Sequence, residues 1–378
     1  MVYFRLDRKW KNEVQTEDTS FSEALPSSGI LSAILLKARI YNASAMYDRP
    51  LRKISDHLSK IVVKANGVES FKDISGRTLL AEWMLQHKQL PPNFIDEMSS
   101  NYQLQVMPIL FGRYLNDPDF ALDLSRFGEV RLEITNDFSV SDLQATKNIW
   151  FDIDLLFMEE RSAPANLIGT SQISTRTWTA AEQKHTFKVP TKYRVRRILL
   201  GAYDNPADGK SAPSNKCFRN LRYLKYTYNS GGKIVKDDDL YRNDQDCMWG
   251  FPDYAEVMYN MEPRTGYYYD TMLGRPVILM VTPSYSADPG SDTELTVDQR
   301  MEQHLTVRRA DAGFQGRLYA AGYGPMAHIC IHEDVPDSLE GYLDPAAKAD
   351  VEIEVGNSSS GATSGTVRFI TQHVRANM

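Results

Sequence analysis

Near its C-terminus the chain carries His328-Ile329-Cys330-Ile331-His332-Glu333, its strongest grouping of residues able to do chemistry. On a strand, residues i, i+2 and i+4 face one way, so His328, Cys330 and His332 would share a face, and all three are metal-ligand types. The two histidines would stand ~13 Å apart along an extended strand, too far to hold one ion without a bulge. A packed or interfacial strand is the preferred reading. A second grouping, Asp237-Asp238-Asp239 with Asn243, Asp244 and Asp246, offers oxygen ligands for calcium. It lacks the glycine and terminal glutamate of an EF loop, and reads better as a solvated charge run. Ser/His/Asp catalysis has no anchor, because Gly-x-Ser-x-Gly is absent. Glu129 and Glu133 sit on opposite sides of a turn-strand junction and read as structural. Trp83 and His87 could form a ligand shelf, although a helix packed across the end of a sheet is the simpler account. No catalytic, cofactor-binding or metal residue is assigned, and the chain is not expected to be an enzyme.

Composition narrows the field further. With 378 residues the chain suits two domains, and 42% hydrophobic with 24% charged residues is ordinary for a globular protein. Lys+Arg number 43 against 49 Asp+Glu, a formal net charge of -6, so there is no basic surplus to neutralise phosphates. Direct nucleic-acid binding is therefore not expected. Cys217, Cys247 and Cys330 are odd in number and widely spaced, which fits synthesis in a reducing compartment and not a disulfide framework. No apolar run approaches the ~18 residues of a membrane span, and the N-terminus lacks the apolar core of a signal peptide.

The elements that would position these residues are mostly strands. Residues 1–20 mix charges without a clean period and read as a flexible N-terminal arm. Strands are expected at Ile30–Tyr41, Leu58–Ala65, Gln103–Phe111, Val130–Thr135 and Ile149–Phe157 in the first half. The second half offers Thr186–Val189, Tyr193–Tyr203, Leu221–Tyr228, Val277–Thr282, Leu305–Arg309, Ala327–His332, Asp350–Val355 and Thr366–Val374. Asn66-Gly67 is a strong hairpin signal, and Gly231-Gly232 closes the corresponding strand later. One helix is clear: Ser75 can cap it, Leu79, Leu80, Trp83 and Met84 form its apolar stripe, and Leu90-Pro91-Pro92 ends it. Glu159–Asn166 reads as a linker. No βαβ alternation or dinucleotide fingerprint is present.

The pattern repeats within the chain. Leu122–Asn136 and Leu343–Asn357 match at five of fifteen positions at an offset of 221. Phe71-Lys72-Asp73 and Val235-Lys236-Asp237 correspond at an offset of 164, so the second copy holds about 57 additional residues between these landmarks. The expectation is an all-β chain of two tandem eight-stranded jelly-roll sandwiches with a few short helices. The first covers residues 21–160 and the second 161–378, the latter with a Tyr/Gly/Pro-rich loop insertion at about 238–340.

The order of these features resembles one family, the double jelly-roll major capsid proteins of tailless icosahedral viruses with internal membranes, found in bacteria and archaea. The resemblance rests on Phe111-Gly-Arg-Tyr-Leu-Asn-Asp-Pro118 leading into Ala121–Ser125, and on Ile61–Gly67 followed by the Ser75–Leu80 helix start. It is good over roughly residues 25–160 and reaches the second half only at Leu221–Asp237 and Leu343–Val374. It implies a homotrimer of pseudo-hexagonal outline that assembles with neighbouring capsomers into an icosahedral shell. It also implies a virion location after synthesis in the host cytoplasm, and contacts with minor capsid or membrane proteins. The alternatives are a jelly-roll carbohydrate-binding protein, with Trp249, Tyr254 and Tyr267–Tyr269 stacking on sugars, and a metal enzyme similar to cupins, built on His328 and His332.

Overall fold

The computed structural model describes residues 4–16, 19–41, 53–91, 93, 102–137, 148–159, 161–204, 221–239, 255–261, 268–269, 273–285, 294–297, 305–309, 315–333, 337–357 and 365–377. The first half runs β1 (Phe4–Gln15), β2 (Ser20–Ala24), β3 (Ile30–Tyr41), α1 (Ile54–His57), β4 (Leu58–Ala65), β5 (Glu69–Ile74), α2 (Gly76–His87), β6 (Tyr102–Leu110), β7 (Leu122–Asp123), β8 (Val130–Asn136) and β9 (Ile149–Met158). One sheet has the order β1-β9-β3-β6, with β7 also on β3, and the facing strands are ordered β2-β8-β4-β5. The alternation read from the sequence explains the packing. Val130, Leu132 and Ile134 of β8 are buried, as are Ile149, Phe151, Ile153, Leu155 and Phe157 of β9, and together they fill the space between the sheets. The hairpin between β4 and β5 turns on Asn66 and Gly67, both at positive φ (51° and 73°).

The second half continues with β10 (Asn166–Trp178), β11 (Lys184–Lys188), β12 (Val195–Asp204), β13 (Leu221–Tyr228), β14 (Lys233–Asp239), β15 (Ala255–Met261), β16 (Tyr268–Tyr269), β17 (Leu273–Tyr285), β18 (Glu294–Val297), β19 (Leu305–Arg309), β20 (Gln315–Pro325), β21 (His328–Glu333), β22 (Glu352–Asn357) and β23 (Gly365–Ala376). Its sandwich pairs the order β10-β23-β12-β21 with β11-β22-β13-β14. Strand for strand this is the first sandwich again, around its own core of Phe187, Ile198, Leu200, Leu224, Ile353 and Phe369.

The repetition extends to irregularities. The β1–β9 ladder shifts between Arg8 and Trp10, and β10–β23 shifts between Gln172 and Ser174. The β3–β9 ladder shifts between Leu31 and Ala33, and β12–β23 between Val195 and Arg197. Each pair differs by the offset of 164 seen in the sequence. The turn before β8 is capped by Asp123, whose side chain accepts from Ser125 N, and the turn before β22 by Asp344, which accepts from Ala346 N and Ala347 N. Asn136 N bonds to Thr19 O and Asn357 N to Gln183 O. Bulges and caps retained at matched positions are built features of a β fold.

The two sandwiches are also joined. Strand β5 pairs in parallel with β10 (Thr170↔Lys72, Ser171↔Asp73), so the inner strands form one eight-stranded sheet, β2-β8-β4-β5-β10-β23-β12-β21. Between β14 and β21 lie two further three-stranded sheets, β15-β20-β17 and β16-β19-β18. The first rests on the end of α2 through Glu256 N→Lys88 O (2.9 Å) and Leu90 N→Glu256 O (3.1 Å). Leu273, Leu318, Ala320 and Met326 complete the core of the first sandwich.

Three expectations change. Residues expected in a flexible arm form β1, a strand along the full length of β9; its two ladder irregularities break the alternation that would have revealed it. The β13–β14 turn is carried by Asn229, Ser230 and Gly231 at positive φ (54°, 51° and 84°), not by Gly231-Gly232. The insertion at about 238–340 holds the strands expected at Val277–Thr282 and Leu305–Arg309, but it ends earlier than expected, because β21 belongs to the second sandwich.

Candidate functional site

The strongest concentration of buried polar chemistry lies where the sandwiches meet, around α2. Ser75 caps this helix, its hydroxyl accepting from Thr78 N at 3.3 Å, and Lys88 ends it in a left-handed conformation (φ 61°) whose N–H bonds to Met84 O. The sequence predicts a helix with one apolar stripe. In the structure every residue from Gly76 to Leu85 is buried, because the second sandwich covers the face that would otherwise meet water. Leu85, for example, packs with Leu199, Ile370 and Cys330. Each polar side chain on that face must therefore find a protein partner.

They do. Glu82 accepts from the Thr170 hydroxyl and from Gln372 Nε2 (3.1 Å), and lies 3.5 Å from the Lys72 ammonium, which itself donates to Thr170 Oγ1 at 2.8 Å. Gln86 Oε1 accepts from Arg196 (2.7 Å) and Arg197 (2.8 Å) on β12. Arg196 also holds Asp337 (Nε–Oδ1 2.8 Å), which accepts from Tyr342 Oη at 2.6 Å, while Arg197 donates to Glu333 at 2.7 Å. From the first sandwich, Arg113 grips Asp117 (2.7 Å) and reaches the Asp337 carbonyl at 2.9 Å. Burial pushes the Lys72 ammonium below its ordinary pKa, with the nearby Glu82 opposing that shift. Burial also opposes the charges of Arg196 and Asp337, but their mutual hydrogen bonds and attraction outweigh it. The arginine is held above its usual range and the carboxyl below its own. Removing one member of such a pair strands the other as a buried charge, at a cost of about 3–5 kcal/mol. The cavity these groups enclose measures ≈ 10 Å³, room for about one water and for no organic ligand. The site works as a joint.

The remaining candidates occupy separate places. His328 is fully buried: its Nδ1 donates to Met326 O (2.8 Å), and Nε2 lies 3.0 Å from the Thr78 hydroxyl and 3.1 Å from that of Tyr203. The ladder shift between Ile198↔His332 and Leu199↔Cys330 leaves Ile331 as an extra residue. Cys330 consequently packs toward Leu85 of α2, whereas His332 contacts Tyr226 of the second core (3.4 Å). The expected common face of His328, Cys330 and His332 is thus broken by the bulge. Trp83 and His87 stack on each other at 3.8 Å, and His87 Nδ1 bonds to Trp83 O, which ties both rings to the helix. Asp237 lies 3.9 Å from Lys225 across the β13–β14 ladder. Asn243, Asp244 and Asp246 fall outside the described residues, as do Trp249, Tyr254 and Tyr267. Glu129 pairs with Arg131 (2.6 Å) and Glu133 with Lys64 (2.7 Å), both structural. Among the described residues, no three His, Cys, Asp or Glu side chains are placed to hold a metal ion, and no helix is long and apolar enough to cross a membrane.

No protein-family model matches this sequence, and no curated protein matches it either. Solved structures do. The STIV (Sulfolobus turreted icosahedral virus) major capsid protein superposes with a TM-score of 0.58 at 10% identity, covering 98% of this chain and 97% of its own. The major capsid protein P2 of bacteriophage PM2 gives 0.52 at 10% identity, with 99% and 98% coverage. A chain of the PBCV-1 virus capsid gives 0.55 at 8% identity, with 99% and 94% coverage. At these identities the likeness establishes the fold: the chain is a double jelly roll, the architecture of these capsid proteins.

Proposed function

We propose that this chain is a viral major capsid protein, a structural subunit that assembles as pseudo-hexameric trimers into an icosahedral shell. The observation that carries the reading is the duplication itself. The same eight-strand order occurs twice, and the whole chain, not one half, matches solved capsid subunits over nearly their full length. Two similar sandwiches per chain make six walls in a trimer, the number needed to tile a shell with hexagonal units. A polar joint that leaves no room for a ligand favours a scaffolding role over catalysis. The acidic balance fits a shell that does not itself bind the genome, and the site of action is then the virion, with minor capsid or membrane proteins as further partners.

Sedimentation velocity on the purified full chain, with negative-stain electron microscopy of the same sample, tests this reading. Trimers of hexagonal outline are expected. A protein that stays monomeric at micromolar concentration overturns it.

A further inference from the structure

We infer that β14 of one copy adds in parallel to β1 of the next copy, completing between chains the joint that β5 and β10 make within the chain. The inference rests on the proposed self-assembly and specifies which surfaces meet, in which register. It follows from the correspondence at an offset of 164. Residues on β5 map onto β14 (Lys72 to Lys236, Asp73 to Asp237), and residues on β10 map onto β1 (Thr170 to Leu6, Ser171 to Asp7). The internal joint thus consumes one copy of each surface, and the second copy of each remains. Among the described residues, β14 ends the sheet β11-β22-β13-β14 and β1 ends β1-β9-β3-β6, both without a further strand.

Exposure follows the same logic. In the internal joint Phe71 and Lys72 of β5 and Thr170 of β10 are buried. At the matching outer positions Val235 is 46% exposed and Leu6 53%, with Ile234 beside them at 54%. Apolar side chains on an open strand edge invite pairing with another chain. Charge supplies a second, independent sign. Within the chain Arg375 of β23 bonds to Glu69 of β5 at 3.3 Å, across the joint. Glu69 maps onto Lys233 at the same offset. Arg375 maps onto Glu159, because His373 and Phe157 face matched positions of β12 and β3 in the two ladders. The pair therefore reappears between copies as Lys233 with Glu159, with its signs exchanged and its complementarity intact. Glu159 at present holds Arg5 (2.7 Å), which leaves it on the β1 edge. Asp7 and Asp237 would come opposite one another, a repulsion reduced by the cations beside them: Arg5, 3.0 Å from Asp7 and shared with Glu159, and Lys225, 3.9 Å from Asp237.

The occupant of the β1 edge is accordingly a second copy of this chain. Because the two surfaces differ, the contact is heterologous, and in the trimer proposed above three such contacts close a ring. Two measurements test the contact. Leu6→Cys with Lys236→Cys in one chain, oxidised at equilibrium, should yield disulfide-linked trimers on a non-reducing gel, since facing positions of paired strands lie within disulfide reach. Either cysteine alone should not. Separately, Glu159→Lys or Lys233→Glu should each raise the trimer dissociation constant by about tenfold or more, because like charges then face each other. The double exchange should restore most of the affinity. Trimers that form normally but neither cross-link nor respond to the charge exchange would sink this contact while leaving the capsid reading intact. Absence of any trimer in the unaltered protein would sink both.

Discussion

At the scale of single residues, two of the histidines are held neutral by their surroundings. His328 and His373 are buried, and that burial, reinforced by nearby arginines, pushes both imidazoles down to about 3. Arg375 Nε donates to His373 Nε2 at 2.8 Å, and Met326 O takes the Nδ1 proton of His328, so each ring is fixed as a neutral tautomer. Unfolded, both would titrate near 6.5. Between that value and about 3 the unfolded chain binds protons that the folded chain refuses, so stability is lost as pH falls through this window. The expected slope is about 1.4 kcal/mol per pH unit for each histidine. Urea midpoints measured from pH 7.5 to 5.5, above the range where carboxylates contribute, should fall steadily, and His328→Gln should flatten the dependence. A level profile would contradict the assignment. The sequence marked His328 as chemically capable but could not reveal the bulge at Ile331, which depends on how β21 meets β12.

At the scale of elements, α2 shows what a helix becomes when it is enclosed on every side. Its first residue, Gly76, packs so closely on α1 that an added Cβ would lie 2.6 Å from the Ser55 carbonyl oxygen and 2.9 Å from Leu58 Cβ. Alanine normally stabilises a helix by about 1 kcal/mol relative to glycine. Here Gly76→Ala should reverse that sign and destabilise by about 1–3 kcal/mol, the range of an overpacked core. Equilibrium unfolding checks this, and a stabilised variant would mean that α1 yields easily. The same enclosure explains how legible the elements were. Strands with one dry and one wet face, such as β3, β4 and β13, were readable to the residue. The helix was readable in its caps, since Ser75 and the turn beyond His87 are local signals. Its second buried face was not, because Arg77, Glu82 and Gln86 resemble solvent-facing residues until their partners arrive from distant sequence. Strand β10 escaped notice because beyond Thr170 it is largely exposed on both faces.

At the scale of the whole molecule, the two sandwiches share a sheet, a helix and a network of buried charges. The added sheet β15-β20-β17 extends from the second sandwich to complete the core of the first. Each half consequently depends on the other. Calorimetry should record one cooperative unfolding transition, and two resolved transitions would show that the joint is weaker than its contacts imply. Duplication could be read from sequence because turn caps and hairpins are encoded locally. The joint could not, because it arises only when two copies lie side by side.

The placement of the extra sheets has a consequence for pattern. Among the described residues, only the second sandwich carries them, between β14 and β21 in sequence. In the proposed ring, six nearly equivalent walls would support ornament on every second one. The foundation would then repeat every sixty degrees and the relief above it every hundred and twenty. The contour of such a ring would therefore have lower symmetry than the walls that carry it. A lattice built from such rings would combine nearly hexagonal packing with a three-fold contour.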